Sequence, residues 1–201
     1  MNIIIASSNK GKIKEIQRWL PEHTVTPYSE ILGSFEIEET GKTFQENAII
    51  KAKDIVQKLN DSEYNEEYIV ISDDSGITVP ALNNEPNIYS ARYAGLDATD
   101  KANNAKLISR LNEKNLTKTP SFYTACLAIA YNDTVYTTHG WMHGDVINEE
   151  KGEGGFGYDP LFIPAGYKNT LGILENDVKK ELSHRSKALV LAMKMIGVIL
   201  K

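Results

Sequence analysis

Two neighbouring aspartates follow an apolar stretch in the first half of the chain. The segment YIVISDDSG places Asp73 and Asp74 just after residues 68–71, which predict a buried strand. Paired carboxylates at a strand end provide the oxygen ligands that Mg²⁺ prefers, and one of them could also accept a proton from water as a general base. Asp followed by Ser and Gly is equally typical of a type I turn. The motif alone leaves a metal site and an ordinary turn as equal alternatives.

A polar turn near the N-terminus could bind phosphate groups. Residues 3–6 predict a buried strand, and SSNKGK follows it before a helix with apolar residues at helical spacing. Backbone N–H groups at a helix N-terminus favour an anion, and a lysine charge adds to this. The segment is too short for a Walker A loop, and solvated lysines in a surface turn explain the same residues. The residues of this turn are Ser7, Ser8, Asn9, Lys10, Gly11 and Lys12.

Charged residues also surround the start of a second helix. Thr43 and Glu46 fit a capping box, which explains this glutamate without a functional role. Lys51 lies one turn further on, away from the apolar stripe of the helix, so it is either solvated or able to reach an anion. Glu38 and Glu39 precede the helix. Taken alone, this group is only a weak indication of a site.

The segment SHRSKA begins a predicted C-terminal helix, with Ser183 as its N-cap. His184 and Arg185 then lie in the first turn, where a positive charge opposes the helix dipole by about 0.3–1 kcal/mol. This placement predicts either a polar or anionic ligand nearby or side chains turned away from the terminus. Arg185 carries a fork of donors suited to carbonyl or phosphate oxygens.

The segment KGEGGFGYDPLFIP is too rich in glycine and proline to form a regular helix. Phe156 and Tyr158 lie between its glycines. They could form a stacking wall for a planar base, or they could fill a gap in the core. Together, the four polar groups and this aromatic pair describe one ligand, a nucleotide with a polyphosphate tail.

The bulk composition excludes several classes of protein. The 201 residues carry a net charge of −5, which argues against binding nucleic acid or an anionic membrane through bulk charge. The single cysteine, Cys126, excludes a disulfide framework; it predicts a buried structural thiol and a reducing, cytoplasmic setting. The longest apolar stretch, residues 188–200, is interrupted by Lys194 and is shorter than the roughly 20 residues of a membrane span. The N-terminus predicts no secretory signal, because no basic region precedes its apolar run.

The order of predicted elements indicates a mixed α/β fold with a second lobe built from the middle of the chain. A β-hairpin turns at Asn132-Asp133, and residues 25–39 and 82–95 are predicted to be irregular. The predicted helices begin after residue 12, at residues 44 and 99, and after Ser183; the predicted strands cover residues 3–6, 68–71, 122–131, 134–139 and 145–147. No internal repeat or linker divides the chain.

Six motifs carry a resemblance that spans nearly the whole chain. In order, they are ASSNKGKIKEI, ETGKTFQENAIIKA, SDDSGI, YSARYAG, GGFGYDPLF and SHRSKAL. Their order and spacing resemble the inosine triphosphate pyrophosphatase family. The resemblance implies hydrolysis of ITP, dITP and XTP to the monophosphate and pyrophosphate with Mg²⁺ as cofactor. It further implies a homodimer of single-domain chains, residues 1–201, with an elongated mixed sheet flanked by helices and an active-site cleft between two lobes.

The resemblance also assigns roles to residues. Asp74 matches the general base and a metal ligand, and Glu38 is favoured slightly over Glu39 as the second metal ligand. The turn from Ser7 to Lys12 matches the triphosphate site, and Ser75 with Gly76 is expected to turn the chain beside the phosphates. The other matching substrate contacts are Ser75, Phe156, Gly157, Tyr158, Asp159, Lys179, His184 and Arg185. Lys51 is expected to neutralise the phosphate tail together with Lys12 and Mg²⁺.

Ser8 departs from the family pattern, which often has glycine there, so the local backbone is expected to differ. Donors on His184 and Arg185 would pair with a 6-oxo purine and reject the amino group of ATP, but this does not by itself exclude GTP. Two other functions stay open. One is a pyrimidine nucleotide pyrophosphatase of the related Maf type, and the other is a non-catalytic nucleotide sensor or RNA-binding module, which the acidic charge disfavours.

Overall fold

A seven-stranded mixed sheet flanked by helices confirms the predicted fold class. The structure is a computed structural model, and it describes residues 1–7 and 9–200. The strands are β1 (Asn2–Ala6), β2 (Thr24–Pro27), β3 (Tyr68–Val79), β4 (Glu85–Pro86), β5 (Lys118–Tyr131), β6 (Thr134–Ile147) and β7 (Phe162–Pro164). The helices are α1 (Lys10–Trp19), α2 (Tyr28–Leu32), α3 (Phe44–Asn60), α4 (Asp100–Glu113), α5 (Asn176–Leu182) and α6 (His184–Ile199).

The strand order is β2-β1-β3-β5-β6-β7, and β4 pairs with β3. β1 is parallel to both of its neighbours, with Ala6 opposite Ser72 of β3. β4 and β7 run antiparallel to β3 and β6, respectively, so the sheet is mixed. β5 and β6 form the predicted hairpin, and Asn132 at its turn has the positive φ of 51° that such a turn requires.

The chain divides into two compact units. The first comprises Met1–Asp74, Ala125–Gly140 and Arg185–Lys201, and the second comprises Ser75–Thr124 and Trp141–His184. β3, β5 and β6 contribute residues to both units. That the whole chain acts as one nucleotide pyrophosphatase domain stays a prediction.

The core of the first unit packs two helices against β1, β3 and β5. The alternate residues Ile69 and Ile71 of β3 lie in one apolar cluster with residues of α1 and α6, as expected for a strand with one face toward these helices. On the other face, the hydroxyl of Ser72 donates to the carbonyl of Ala48 in α3 (2.5 Å). The helix residues of the cluster are Ile16, Leu20, Ala188, Leu189, Ala192 and Ile196.

The predicted cap of α3 forms, with one difference. The Thr43 hydroxyl accepts the backbone N–H of Glu46 (3.1 Å), as a capping box requires. The Glu46 carboxylate, however, accepts the N–H of Lys42 (2.6 Å) and not that of Thr43. Both bonds satisfy donors at the start of the helix, so α3 begins at the predicted residue.

The core of the second unit includes one side of α4, which is capped by Thr99 and so begins next to the predicted start at residue 99. Its buried residues are Ile77, Val79, Leu82, Tyr93, Leu107, Leu111, Tyr123, Met142, Val146, Tyr158, Leu161, Phe162 and Leu171. Three short 3₁₀ turns occupy Pro80–Leu82, Asn87–Arg92 and Asp159–Leu161. The segment from Lys151 to Pro164 contains no α-helix, in agreement with its composition.

The largest difference from prediction lies in β3. This strand does not end before the aspartates but continues without a turn through Asp73, Asp74, Ser75 and Gly76. The glycine at position 76 serves close packing, because a Cβ there would lie 2.3 Å from the Ser90 hydroxyl. The type I turn, and the turn expected at Ser75 and Gly76, are therefore wrong.

Smaller differences concern short elements. α2 and all of β2 except Thr24 lie within residues 25–39, which were predicted to be irregular, and α5 was not predicted. Ser183 is the C-cap of α5 and the single residue between α5 and α6, so it directly precedes α6 as predicted. Over the described part of the chain, every helix is too short or too polar to cross a membrane.

Candidate active site

Asp73 and Asp74 lie next to each other on β3, so strand geometry directs their side chains to opposite faces of the sheet. Both are buried, with exposed fractions of 1% and 6%. Buried carboxylates require partners, since an isolated charge in a protein interior is strongly destabilising. The two residues obtain these partners from different elements of the first unit.

Asp73 belongs to an ion cluster with α1 and α6. Lys12 approaches its Oδ2 at 2.5 Å, and Arg185 donates from Nε to its Oδ1 at 3.0 Å. The guanidinium of Arg185 also donates to Glu15 of α1. Burial alone would raise the pKa of Asp73, but the charges of Arg185 and Lys12 together outweigh it and hold that pKa well below its usual range. Asp73 is therefore ionised at neutral pH.

Asp74 faces α3 and the segment before it. Lys51 donates to its Oδ1 at 2.9 Å and to Glu39 at 2.6 Å, so one ammonium group bridges two carboxylates. Burial raises the pKa of Asp74, and the lysine charges only partly offset this effect. The neighbouring aspartates are thus shifted in opposite directions. Oδ2 of Asp74 is buried and has no hydrogen-bond partner among residues 1–7 and 9–200.

The second carboxylate beside Asp74 belongs to Glu39. Glu38, which was favoured as the second metal ligand, is exposed, whereas Glu39 is half-buried and shares Lys51 with Asp74. The structure therefore places Glu39, and not Glu38, beside Asp74, and the identity of the second metal ligand stays a prediction. The segment before α3 is irregular, and no periodic pattern there indicates which of two adjacent glutamates faces inward.

The polar turn before α1 is built around a helix cap. Oδ1 of Asn9 accepts the backbone N–H groups of Gly11 (2.9 Å) and Lys12 (3.1 Å), and the Ser7 hydroxyl accepts the N–H of Asn9. The Asn9 side chain therefore bonds to two backbone N–H groups that were expected to face a phosphate. Ser8 lies outside the described residues, as does the side chain of Lys10. Direct phosphate contacts by this turn stay a prediction.

The glycine-rich loop of the second unit is fixed by its own polar contacts. Asp100 accepts the backbone N–H of Gly157 (2.7 Å), and the Tyr158 hydroxyl donates to the carbonyl of Ser90 (2.7 Å). Tyr158 is buried in the core, so it fills a gap, whereas Phe156 is 42% exposed. Of the two predicted aromatic residues, only Phe156 presents its ring at the surface.

Four further predicted contacts, Asp159, Lys179, His184 and Ser75, lie in the second unit. Asp159 of the glycine-rich loop lies 4.0 Å from the ammonium of Lys179 and accepts the N–H of Phe156 (3.3 Å). His184 is nearly buried, and its ring stacks on Tyr123. Ser75 is the first residue of the second unit and directly follows Asp74 on β3.

Arg185 differs from its expected setting. Its guanidinium is buried and engaged by carboxylates, so the negative charge that compensates a cation in the first turn of α6 comes from the protein itself. A direct contact between Arg185 and a substrate stays a prediction.

Sequence reasoning missed three residues that contact the predicted site residues. Glu15 bonds to Arg185, Tyr123 stacks on His184, and Asp100 accepts the N–H of Gly157. Glu15 lies three residues after Lys12 and so shares a face of α1 with it, which is a signal that could have been read. Asp100 and Tyr123 have no local signal, because their partners are distant in the chain. Asp100 accepts from Gly157, which lies 57 residues later. Tyr123 stacks on His184, the first residue of α6.

The donor set around Asp74 fits Mg²⁺ held jointly with a substrate. The two carboxylates of Asp74 and Glu39 are hard oxygen ligands, and Oδ2 of Asp74 is a buried acceptor. Within the described residues, no group of three or more His, Cys, Asp or Glu side chains could hold a metal ion by itself. Mg²⁺ often binds through one or two carboxylates and completes its shell with water and phosphate oxygens, so this donor set is sufficient.

Comparisons with known proteins agree with the motifs. The model of the Ham1 family matches residues 3–195. A dITP/XTP pyrophosphatase of Aliarcobacter butzleri is 59% identical over 200 residues, which is 100% of both chains. One from Nautilia profundicola is 56% identical over 96% of this chain and 95% of its own.

Solved structures of similar proteins share the fold. A HAM1 protein from Coxiella burnetii superposes with a TM-score of 0.86 at 33% identity, and the Ham1 protein of Staphylococcus aureus with 0.84 at 36%. Both matches cover 98% of each chain. The resemblance drawn from the six motifs is therefore confirmed, and the chain belongs to the Ham1 family.

Proposed function

We propose that this protein hydrolyses deaminated purine nucleoside triphosphates, namely ITP, dITP and XTP, to the monophosphate and pyrophosphate. The curated relatives cited above carry the name dITP/XTP pyrophosphatase and match the chain over its full length. The observation that carries the chemistry is the buried Asp74, whose Oδ2 lacks a partner among the described side chains and whose pKa is raised. A raised pKa is the direction expected for a general base that accepts a proton near neutral pH.

Asp74 is proposed to take the proton from a water molecule that attacks the α-phosphorus. The bond between this phosphorus and the bridging oxygen then breaks, and pyrophosphate leaves with the electron pair. Catalysis of such a displacement depends on orientation and on compensation of negative charge. A carboxylate fixed on a central strand and tied to Lys51 is suited to orienting the water.

The positive groups near Asp74 are proposed to bind the triphosphate. Lys12 and Lys51 lie on α1 and α3, and both ammonium groups are held by carboxylates of β3. Together with the backbone of the turn around Asn9, they would neutralise the phosphate tail. Mg²⁺ held by Glu39 and Asp74 would supply Lewis-acid polarisation of the phosphate oxygens and further charge compensation.

Residues of the second unit, together with Arg185 of the first, are proposed to recognise the purine. His184 is proposed to donate to the 6-oxo group, and Arg185 is retained as a further donor. Because adenine has an amino donor at this position, ATP would leave buried donors unpaired and bind less well. Phe156 is proposed to stack on the base; the other proposed contacts are Ser75, Gly157, Tyr158, Asp159 and Lys179.

A panel of nucleotides tests the proposal. Release of pyrophosphate from ITP, dITP, XTP, ATP, GTP, CTP and UTP is measured with Mg²⁺ and with EDTA. We expect rapid release from the three deaminated nucleotides in Mg²⁺ only, at least about 100-fold faster than from ATP. Equal rates on all purines would refute the selectivity, and faster release from pyrimidine nucleotides would favour a Maf-type activity. Tight binding of ITP without any product would indicate a sensor.

The assembly state and location are also proposed. A homodimer in the cytoplasm, without a nucleic-acid partner, is implied by the family resemblance. Light scattering on the purified chain should give about twice the mass of 22.4 kDa calculated for one copy. A mass of one copy at the concentrations of the assay would contradict the dimer without affecting the proposed reaction.

A further inference from the structure

The ring of His184 lies on the ring of a buried tyrosine. The centroids of His184 and Tyr123 are 4.8 Å apart, and the two ring planes differ by only 13°. Tyr123 lies on β5 and is 7% exposed, and His184 is nearly buried as the first residue of α6. Offset stacking of this kind is favourable and holds the two planes parallel.

Tyr123 itself is held by the core. The buried ring of Phe162 on β7 meets it edge to face, with the centroids 4.8 Å apart and the planes at 65°. Burial raises the pKa of Tyr123 well above its ordinary value, and the charge of Asp159 acts in the same direction, so its hydroxyl stays neutral. A ring in contact with neighbours on two sides can turn only by displacing close-packed side chains.

The plane of His184 matters because an imidazole donates hydrogen bonds within its ring plane. A donor that recognises a carbonyl oxygen needs both the correct position and the correct direction. The peptide backbone at the start of α6 fixes the position of His184, but rotation of the ring about its bond to Cβ is left to its neighbours. The stacked Tyr123 restricts that rotation.

We propose that Tyr123 is a positioning residue that fixes the ring plane of His184 and so determines the preference for a 6-oxo over a 6-amino purine. This inference rests on the proposed function, since it assigns His184 to base recognition. Tyr123 does not need to touch the substrate. Its contribution is the difference between a donor held in one direction and a donor that samples several.

The experiment compares two substitutions of Tyr123 with one control. Tyr123→Phe keeps the stacked ring, and Tyr123→Leu removes it. The control Tyr93→Leu removes another tyrosine of the same core, also 7% exposed, whose ring is covered by the ammonium of Lys106. Two quantities are measured for each protein: the ratio of kcat/KM for ITP to that for ATP, and the NMR chemical shifts of the His184 ring protons.

We expect Tyr123→Leu to lower the ITP-to-ATP ratio by about 10- to 100-fold, the range of losses from small misplacements of a reacting or binding group. The His184 ring protons should move downfield as the ring current of Tyr123 disappears. Tyr123→Phe should keep most of the ratio and the upfield shifts. The control should lose stability while keeping both.

Two results would overturn the inference: an unchanged ratio in Tyr123→Leu, or an equal loss of ratio in Tyr93→Leu. If the leucine variant does not fold by circular dichroism, Tyr123→Met replaces it, because methionine fills irregular space without a ring. Failure of the proposed function gives a different result, since the unmodified protein would then not prefer ITP at all. The chemical shifts report on the stacking in either case.

Discussion

Replacing either aspartate of the central pair by asparagine should have opposite consequences. Asp73→Asn is expected to destabilise the fold and to affect catalysis only secondarily. Asp74→Asn is expected to abolish catalysis and to leave the fold intact. The two substitutions remove the same charge from adjacent positions of one strand, so each is the control for the other.

The expected loss of stability for Asp73→Asn follows from its partners. Removing one member of a buried ion pair usually costs about 3–5 kcal/mol. Arg185 would keep Glu15, and Lys12 is partly exposed to solvent, so we expect the lower end, about 3 kcal/mol. For a chain of this length, such a loss lowers Tm by roughly 6–12 °C.

The effect of Asp73→Asn should also depend on pH. Folding lowers the pKa of Asp73, so its ionised form stabilises the native state at every pH above the unfolded pKa of about 3.9. This contribution declines as pH falls below that value toward the lowered folded pKa. The difference in stability between Asp73→Asn and the unmodified protein should therefore be constant from pH 5 upward, on the order of 3 kcal/mol, and shrink toward pH 3.

Asp74→Asn should behave differently, because burial disfavours the charge that it removes. Lys51 would keep its bond to Glu39, so we expect a change in stability below about 1 kcal/mol. Without its general base, pyrophosphate release from ITP should fall by about 10²- to 10⁴-fold.

Urea unfolding in EDTA measures stability, and pyrophosphate release from ITP in Mg²⁺ measures activity. Asp133→Asn, in the exposed turn of the hairpin, controls for the change of net charge. The reasoning fails if Asp73→Asn is as stable as the unmodified protein, or if Asp74→Asn keeps more than a tenth of its activity.

Three further predictions concern other contacts. Gly76→Ala should lower the free energy of unfolding in urea by about 1–3 kcal/mol, since its Cβ would lie 2.3 Å from the Ser90 hydroxyl. The control Gly197→Ala, which has open space around it, should not destabilise the protein. Equal effects of the two substitutions would contradict the packing argument. Lys51→Met should lower the free energy of unfolding by about 3 kcal/mol in the same assay, because two carboxylates lose the ammonium group between them. Unchanged stability would show that solvent already compensates the charge of these carboxylates. Burial raises the pKa of the Cys126 thiol to about 12, so iodoacetamide at pH 8 should label it only after unfolding, as followed by mass spectrometry; rapid labelling of the folded chain would refute its burial.

Features with local causes were predictable from the sequence. The caps at Thr43 and Thr99 use side-chain oxygens that bond to N–H groups three residues away, so the start of each helix is encoded within one turn. The hairpin at Asn132 depends on a two-residue turn. β1 is a short buried run that is bounded by polar residues on its C-terminal side.

Features that depend on residues distant in the chain were not predictable from the sequence. Two adjacent aspartates indicated the end of a strand, because nothing nearby in the sequence neutralises them. The guanidinium that allows Asp73 to be buried within β3 comes from Arg185, 112 residues later. The choice between Glu38 and Glu39 depends in the same way on Lys51, whose ammonium selects whichever carboxylate the irregular segment brings within reach.

The charges on the two faces of β3 explain why the neighbouring aspartates can differ in function. On the face of Asp73, two carboxylates meet two cations, Lys12 and Arg185, so this cluster balances to zero. On the face of Asp74, the carboxylates of Asp74 and Glu39 share the ammonium of Lys51, so these three side chains carry a charge of −1 when both carboxylates are ionised. A balanced cluster gains nothing from an added cation, whereas the second arrangement is stabilised by one. A divalent ion that arrives with an anionic phosphate tail would supply this cation on the face of β3 that carries the proposed base.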